Sequence, residues 1–197
     1  MFISKLRVSG FKSFSEDTTI SINTGLNGII GPNGSGKSNV VEAIKWVMGE
    51  NSSKSLRGSG MNDLIFSGSA SKASKNIALV SLTLEVDKNI LEDNYKKFLK
   101  DNIIEVERQA TRDSGSTYRI NGKEVKAKDI QYLFADFSSG SRSSNIIDQG
   151  TVGNLVLQKP IERRKILDEA AGISGISARK NETNNKLDST KRNLDRL

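Results

Sequence analysis

Residues 31–38 read GPNGSGKS and match the pattern G-x-x-x-x-G-K-[ST] at every position. Its glycines allow the backbone to turn so that successive N–H groups wrap around phosphate oxygens. A helix beginning at Lys37 adds unpaired amides and the partial positive charge of its N-terminus. Lys37 is expected to bridge the β- and γ-phosphates, and Ser38 to coordinate Mg²⁺ through its hydroxyl. The motif therefore predicts a site for a nucleoside triphosphate.

The sequence on either side of this loop predicts a strand–loop–helix unit. The apolar run Leu26–Ile30 stops at Gly31, and apolar residues recur every three or four positions from Lys37 to Met48. Gly49 is predicted to end the helix as a C′ glycine. Strand, loop and helix together support the phosphate-binding interpretation.

The remaining sequence predicts a sheet followed by helices. Asn121-Gly122 is a dipeptide typical of a tight hairpin turn. From Ile176 onward a diluted heptad pattern indicates a coiled-coil helix. Further strands are predicted at 2–8, 18–22, 64–66, 78–86, 103–112 and 118–125, and helices at 89–101, at 127–137 and from 160.

Composition excludes several classes of site. The 197 residues include no cysteine and no histidine, which excludes disulfide frameworks, cysteine-based zinc sites and Ser-His-Asp triads. No apolar run approaches the roughly 20 residues that span a bilayer, so we expect a cytoplasmic protein without a membrane partner. The net charge of +7 is compatible with contact to a polyanion such as nucleic acid.

The chain lacks recognisable parts for hydrolysis. P-loop ATPases need an acid at the end of a second buried strand and a group that orients water. The nearest candidate is Asp136 after four apolar residues, but that spacing favours the inner face of a helix. The segments 138–141 and 173–175 resemble an ABC signature element only faintly, and a loop is favoured for both.

The loop is embedded in a longer match to a known family. These pieces together resemble the N-terminal head lobe of bacterial SMC (structural maintenance of chromosomes) proteins. In chain order they are LRVSGFKSF at 6–14, GPNGSGKSNVVEAIKWVMGE at 31–50, KSLRG at 54–58, DLIFSGS at 63–69, IIDQGTV at 146–152 and PIERRKILDEAAGISGISARK at 160–180.

This resemblance implies an α/β fold, the N-terminal lobe of a P-loop NTPase of the ABC-ATPase head type with a mixed β-sheet. Residues 1–172 would form the lobe, and residues 173–197 the start of an antiparallel coiled-coil arm. The signature motif, Walker B acid and catalytic Glu would belong to a C-terminal half beyond the arm. The isolated chain is therefore expected to be inactive as an ATPase.

The resemblance also implies roles for individual residues. Gln149 resembles the Q-loop glutamine that completes the Mg²⁺ shell, with an ordinary loop amide as the alternative. Lys12 and Ser13 match residues near the base and ribose, with a surface turn as the alternative. Arg57 resembles an arginine that couples hydrolysis to DNA, with a solvated loop arginine as the alternative. The implied catalytic residues are Lys37, Arg57 and Gln149, the metal ligands Ser38 and Gln149, and the nucleotide-binding residues Lys12, Ser13, Pro32, Asn33, Gly34, Ser35, Gly36, Lys37, Ser38, Asn39 and Gln149.

One segment departs from the family pattern. The family usually carries a glycine-rich passage before its Q-loop, whereas residues 136–141 here read DFSSGS. The local geometry of that loop is therefore left open.

The function that the resemblance implies is ATP-driven head engagement and hydrolysis that organises DNA. Its cofactors would be ATP and Mg²⁺, and its location the nucleoid in the cytoplasm. Its partners would be the C-terminal head half, a second SMC copy, a kleisin with accessory subunits, and DNA bound without sequence preference. Three alternatives are a catalytically inert fragment, a related SMC-like DNA-repair ATPase and a small-metabolite P-loop kinase. The coiled-coil tail and the lack of an Arg-rich lid argue against the kinase.

Overall fold

The computed structural model describes residues 2–52, 60–87, 93–112, 115–136, 146–147, 160–161, 164, 167–168, 171 and 174–195. The chain forms two compact units, residues 1–131 and residues 132–197. The predicted boundary at 172/173 falls on residues outside the described part and stays a prediction. The predicted loop at 138–145 and most of the predicted Q-loop lie outside it too.

Within these described residues, six strands form one sheet in the order β2-β1-β3-β4-β5-β6, and each neighbouring pair is antiparallel. The first four strands were predicted with ends that differ by one residue, whereas the single strand predicted at 118–125 is divided into β5 and β6 by the turn at Asn121-Gly122. Their bounds are β1 Phe2–Ser9, β2 Thr18–Ser21, β3 Ile77–Glu85, β4 Ile103–Thr111, β5 Gly115–Ile120 and β6 Lys123–Val125.

The two faces of the sheet differ because side chains alternate along each strand. Val80 and Leu82 of β3 are fully buried, as is Val106 of β4. Helix α1, Lys37–Val47, packs on β3 and β4. The opposite face carries polar side chains such as Ser81 and Glu105, whose side chains hydrogen-bond to each other at 2.7 Å. The sheet therefore supports α1 with one face only.

Two predicted turns are confirmed by their backbone angles. Asn121 and Gly122 join β5 to β6 with φ of 45° and 76°, the positive values that a tight hairpin turn requires. Gly49 has φ of 102°, and its N–H donates to the carbonyl of Trp46 at 3.1 Å. It therefore ends α1 as predicted.

The prediction that Leu26–Ile30 is a strand is wrong for this structure. The Asn27 side chain hydrogen-bonds to the backbone of Asn23 and Gly25, which holds a local turn. Leu26 and Ile30 are 102% and 96% exposed. A strand needs a neighbour for its backbone groups, and within the described residues none pairs with this run.

Short helical segments account for other differences. The predicted strand at 64–66 is a 3₁₀ turn, Met61–Leu64, followed by a single bridge between Phe11 and Ile65. Within the predicted helix at 89–101, the structure places a short helix α2, Asp93–Lys96. Helix α3 covers Ala127–Asp136, so the run before Asp136 is helical as predicted.

The last described element is α4, Ser174–Leu194, which confirms the predicted helix at the end of the sequence. Its apolar residues Ile176, Leu187 and Leu194 are each more than 60% exposed. The side-chain oxygen of Glu182 accepts a hydrogen bond from Tyr132 of α3. Across the ranges given above, no helix has the length and apolar character to cross a membrane.

Candidate nucleotide-binding site

The GPNGSGKS loop is exposed and continues directly into α1. Gly34 and Gly36 have φ of 81° and 89°, and Gly36 is the residue that caps the N-terminus of α1. Ser35 N–H donates to the Pro32 carbonyl at 3.3 Å and closes a turn. Five residues of the loop are exposed, namely Pro32, Asn33, Gly34, Ser35 and Ser38. The loop thus presents backbone to solvent at a helix N-terminus, where anions bind.

Packing restricts two of the glycines, and a left-handed backbone angle restricts Gly36 as well. A Cβ atom added to Gly31 would lie 2.7 Å from Ser35 Oγ, and one added to Gly36 would lie 2.6 Å from Ser13 Oγ. A Cβ on Gly34 would meet nothing within 4 Å. The loop is therefore closed on itself and on Ser13, while its tip at Gly34 stays open.

The ammonium of Lys37 lies against the start of the loop. Its Nζ donates to the carbonyls of Gly31 and Pro32 at 2.6 and 2.7 Å. Exposed amides, a helix N-terminus and an ammonium are the donors that a polyphosphate requires. The residues present therefore fit a nucleoside triphosphate.

Ser38 and Asn39 occupy the first turn of α1. Ser38 is exposed, and its hydroxyl oxygen is a ligand type that Mg²⁺ accepts together with phosphate oxygens. Asn39 donates through Nδ2 to Ser13 Oγ at 2.8 Å. Within the described residues, no group of three or more acidic residues could hold a metal ion by itself.

The structure brings Lys12 and Ser13 to α1, and their predicted place near the base and ribose of a nucleotide stays a prediction. Lys12 forms an ion pair with Glu42 of α1, and the two side chains are 12% and 6% exposed. Lys12 has φ of 48°, a left-handed conformation that is uncommon for a residue other than glycine. Its N–H donates to the carbonyl of Leu64 at 2.8 Å.

Two predicted site residues, Arg57 and Gln149, lie outside the described residues, so their roles stay predictions. Asp136 is the last residue of α3 and belongs to the second unit. The loop, Lys12, Ser13 and α1 all belong to the first unit.

Sequence reasoning missed Arg108, a buried cation at the C-terminal end of α1. Its guanidinium donates to the carbonyls of Trp46 and Glu50, each at 2.8 Å, and to Asn51 Oδ1 at 2.7 Å. It also lies between the rings of Trp46 and Tyr118, at 4.6 and 4.8 Å from their centroids. A cation at this end complements the helix dipole. Arg108 therefore anchors the end of α1 opposite the phosphate loop.

Burial changes the ionisation of this cluster. Loss of solvent lowers the pKa of Arg108 to about 10, although Tyr118 and Glu50 oppose that change. Burial also raises the pKa of the Tyr118 hydroxyl, and the Arg108 charge acts in the other direction. A signal was present in the sequence, because Arg108 shares its strand face with Ile104, Val106 and Ala110. An arginine at an apolar position of an alternating strand indicates a buried cation.

Comparison with known proteins gives consistent matches. The family model described as the RecF/RecN/SMC N terminal domain matches residues 2–141. Proteins named chromosome partition protein Smc match the whole chain, with 45% identity in Cereibacter sphaeroides and 41% in Bacillus subtilis. The chain spans only 17% and 16% of the lengths of these relatives.

Solved structures of SMC heads share the fold. One comes from work on ATP-driven dimerization and DNA-stimulated activation of SMC ATPases; it has 28% identity and a TM-score of 0.74, covering 86% of this chain and 99% of that one. Another is a Pyrococcus furiosus Smc head with an extended coiled coil, bound to the C-terminal domain of ScpA. It has 29% identity and a TM-score of 0.76, and it covers 99% of this chain and 48% of that one. The predicted α/β class and P-loop NTPase head fold are thereby confirmed.

Proposed function

The chain belongs to the RecF/RecN/SMC family, and we propose that it is the ATP-binding N-terminal half of an SMC chromosome-partition ATPase head. The observation that carries the proposal is the geometry of residues 31–38, an exposed glycine loop that leads into α1 with the Lys37 ammonium at its start. The match to chromosome partition proteins over all 197 residues of this chain supports the assignment to SMC rather than to another P-loop class.

ATP and Mg²⁺ are the proposed cofactors. Bound ATP would supply a transferable γ-phosphoryl group, and Mg²⁺ would neutralise charge on its phosphates. Lys37 and the loop amides would hold the phosphates, while Ser38 and Gln149 would face the metal. Lys12 and Ser13 would lie toward the base and ribose.

Hydrolysis is proposed to need a second head half. Among the described residues, those around the loop offer no acid at the end of a second strand, and Asp136 ends a helix. The exposed run Leu26–Ile30, together with Val41 at 40% exposure, offers apolar surface next to the loop. We assign this surface to the C-terminal half, which would also supply the Walker B acid and the catalytic Glu. The isolated chain would bind ATP without hydrolysing it.

Further partners follow from the same assignment. Solved SMC heads that resemble this chain bind ScpA, which supports a kleisin contact at the arm near residues 178–197. A second SMC copy would complete the ATP site across the head interface. The net charge of +7 of this chain supports non-specific DNA contact, and Arg57 would couple that contact to hydrolysis. The protein would act at the nucleoid in the cytoplasm.

Nucleotide binding and hydrolysis test this proposal separately. ATP affinity and phosphate release would be measured for the chain alone and with the C-terminal head half of the Cereibacter sphaeroides relative, with and without DNA. We expect binding in both samples and hydrolysis only in the mixture. Lys37→Ala should abolish both binding and hydrolysis. Lys72→Ala should abolish neither, because Lys72 is exposed and pairs with Glu16.

Three results would contradict the proposal. Hydrolysis by the chain alone would mean that it carries its own catalytic acid. Absence of ATP binding by the chain, or equal binding by Lys37→Ala, would show that the loop is not a nucleotide site.

A further inference from the structure

We propose that Lys12 and Glu42 form a clamp that positions Ser13 at the phosphate loop, so that Ser13 contacts the nucleotide and Lys12 acts through position alone. This inference rests on the proposed ATP site but changes the role of Lys12 within it. Family resemblance places Lys12 and Ser13 together near the base and ribose. The contacts of the two residues separate their roles.

Two side-chain contacts join the turn that contains Lys12 and Ser13 to helix α1, and the clamp is one of them. Lys12 pairs with Glu42, and Ser13 accepts a hydrogen bond from Asn39 at 2.8 Å. Asn39 and Glu42 are three residues apart and therefore lie on the same face of the helix. Neighbouring residues 12 and 13 thus contact residues on neighbouring helical turns of α1.

The other side of the same turn is fixed as well. Lys12 N–H donates to the Leu64 carbonyl, and Phe66 N–H donates to the Gly10 carbonyl, each at 2.8 Å. Lys12 has a left-handed φ of 48°, which non-glycine residues keep only where their surroundings hold them. The turn is therefore restrained from both sides, and Lys12 takes part in both restraints.

Burial separates Lys12 from the other lysine at the site. Its side chain is 12% exposed and already faces a carboxylate, so reaching a nucleotide would break a buried ion pair. Within the part of the chain that the structure describes, Lys37 donates to backbone carbonyls of the loop and forms no ion pair. Ser13, in contrast, is exposed and fits against Gly36, where an added Cβ would lie 2.6 Å from its Oγ. Charge recognition therefore belongs to Lys37, and the contact from the turn belongs to Ser13.

A double-mutant cycle in nucleotide affinity tests the clamp. The variants are Lys12→Met, Glu42→Met and the double variant, each measured with a fluorescent ATP analogue, and circular dichroism follows their folding. Each single variant leaves one charge buried without this partner and should weaken binding about tenfold. The double variant replaces the pair by apolar side chains of similar length and should bind within about threefold of the wild type.

The exposed Arg7–Asp17 pair is the matched control, with side chains 48% and 49% exposed. Arg7→Met, Asp17→Met and their double variant should leave nucleotide affinity unchanged. Ser13→Ala removes one hydroxyl without disturbing the clamp, so it should weaken binding while the circular dichroism spectrum stays that of the wild type. This variant keeps the proposal testable even if a buried charge prevents folding of a single clamp variant.

The outcomes separate the clamp from the proposed function. A double variant that binds as weakly as Lys12→Met would show that Lys12 contacts the nucleotide directly, and would overturn the clamp alone. Wild-type affinity in Ser13→Ala would overturn it as well. A wild-type chain that fails to bind the analogue would overturn both the clamp and the ATP site.

Discussion

Replacing Arg108 by methionine should destabilise the chain, because the bonds of the guanidinium outweigh the penalty for burying it. Arg108 is 1% exposed and makes three hydrogen bonds of 2.7–2.8 Å to the end of α1 and to Asn51. Methionine keeps much of the aliphatic volume between Trp46 and Tyr118 but donates to none of these acceptors.

Two opposing free energies decide the size of the effect. Burial lowers the pKa of Arg108 to about 10, a net change that corresponds to roughly 3 kcal/mol of destabilisation of the charged form, which methionine would relieve. Each hydrogen bond from a charged donor contributes about 1.5–3 kcal/mol, and Arg108 makes three close ones. The lost bonds exceed the relief, so we expect the free energy of unfolding to fall by about 1.5–6 kcal/mol.

Urea unfolding measures this difference, followed both by circular dichroism and by the fluorescence of Trp46, the single tryptophan of the chain. Arg119→Met is the matched control, since Arg119 belongs to the neighbouring strand, is 33% exposed and pairs with Glu107. Its loss should be below about 1 kcal/mol. An Arg108→Met variant as stable as the wild type, or as stable as Arg119→Met, would show that desolvation dominates and would refute this reasoning.

Two further predictions concern the loop and the surface. Gly34→Ala and Gly36→Ala each place an alanine in a left-handed backbone conformation, which should destabilise the fold by about 1–2 kcal/mol. Only the alanine at position 36 would also clash with Ser13 Oγ, so the thermal midpoint of Gly36→Ala should be the lower of the two. Equal midpoints would contradict the packing at Gly36. The side-chain hydrogen bond from Arg7 lowers the pKa of Asp17 from 3.8, so Asp17→Asn should lower the free energy of unfolding at pH 7 by less than about 1 kcal/mol. A carboxyl group whose pKa is lowered by folding stabilises the fold at pH values above its ordinary pKa. The difference in the free energy of unfolding should therefore shrink as the pH falls from 3.8 through the folded-state pKa. Urea unfolding across that pH range measures this difference, and a constant difference would contradict the prediction.

Local sequence predicted those features that local physics determines. Alternation along β3, the Asn121-Gly122 turn and the glycine at the end of α1 each depend on residues close in sequence, and each is found in the structure. The same holds for the phosphate loop, whose pattern alone indicated its place before a helix.

Features that depend on distant partners were not predicted. Leu26–Ile30 is apolar enough for a strand, but a strand also needs a neighbour, and the Asn27 side chain stabilises a turn instead. Burial of Glu42 and Arg108 likewise depends on partners 30 and more residues away. Charged side chains are usually exposed, so residue type alone favours a solvated position for both.

The exposed run Leu26–Ile30 also has a consequence for biosynthesis. The curated relatives are about six times as long as this chain, and a ribosome adds about 5–20 residues per second. Under the proposed function, the run would wait about one to four minutes for the C-terminal half that covers it. An apolar segment with open backbone groups is prone to aggregate during such an interval. Under the same proposal, the nascent chain would gain from protection at Leu26–Ile30, and a chaperone that binds short apolar segments would provide it.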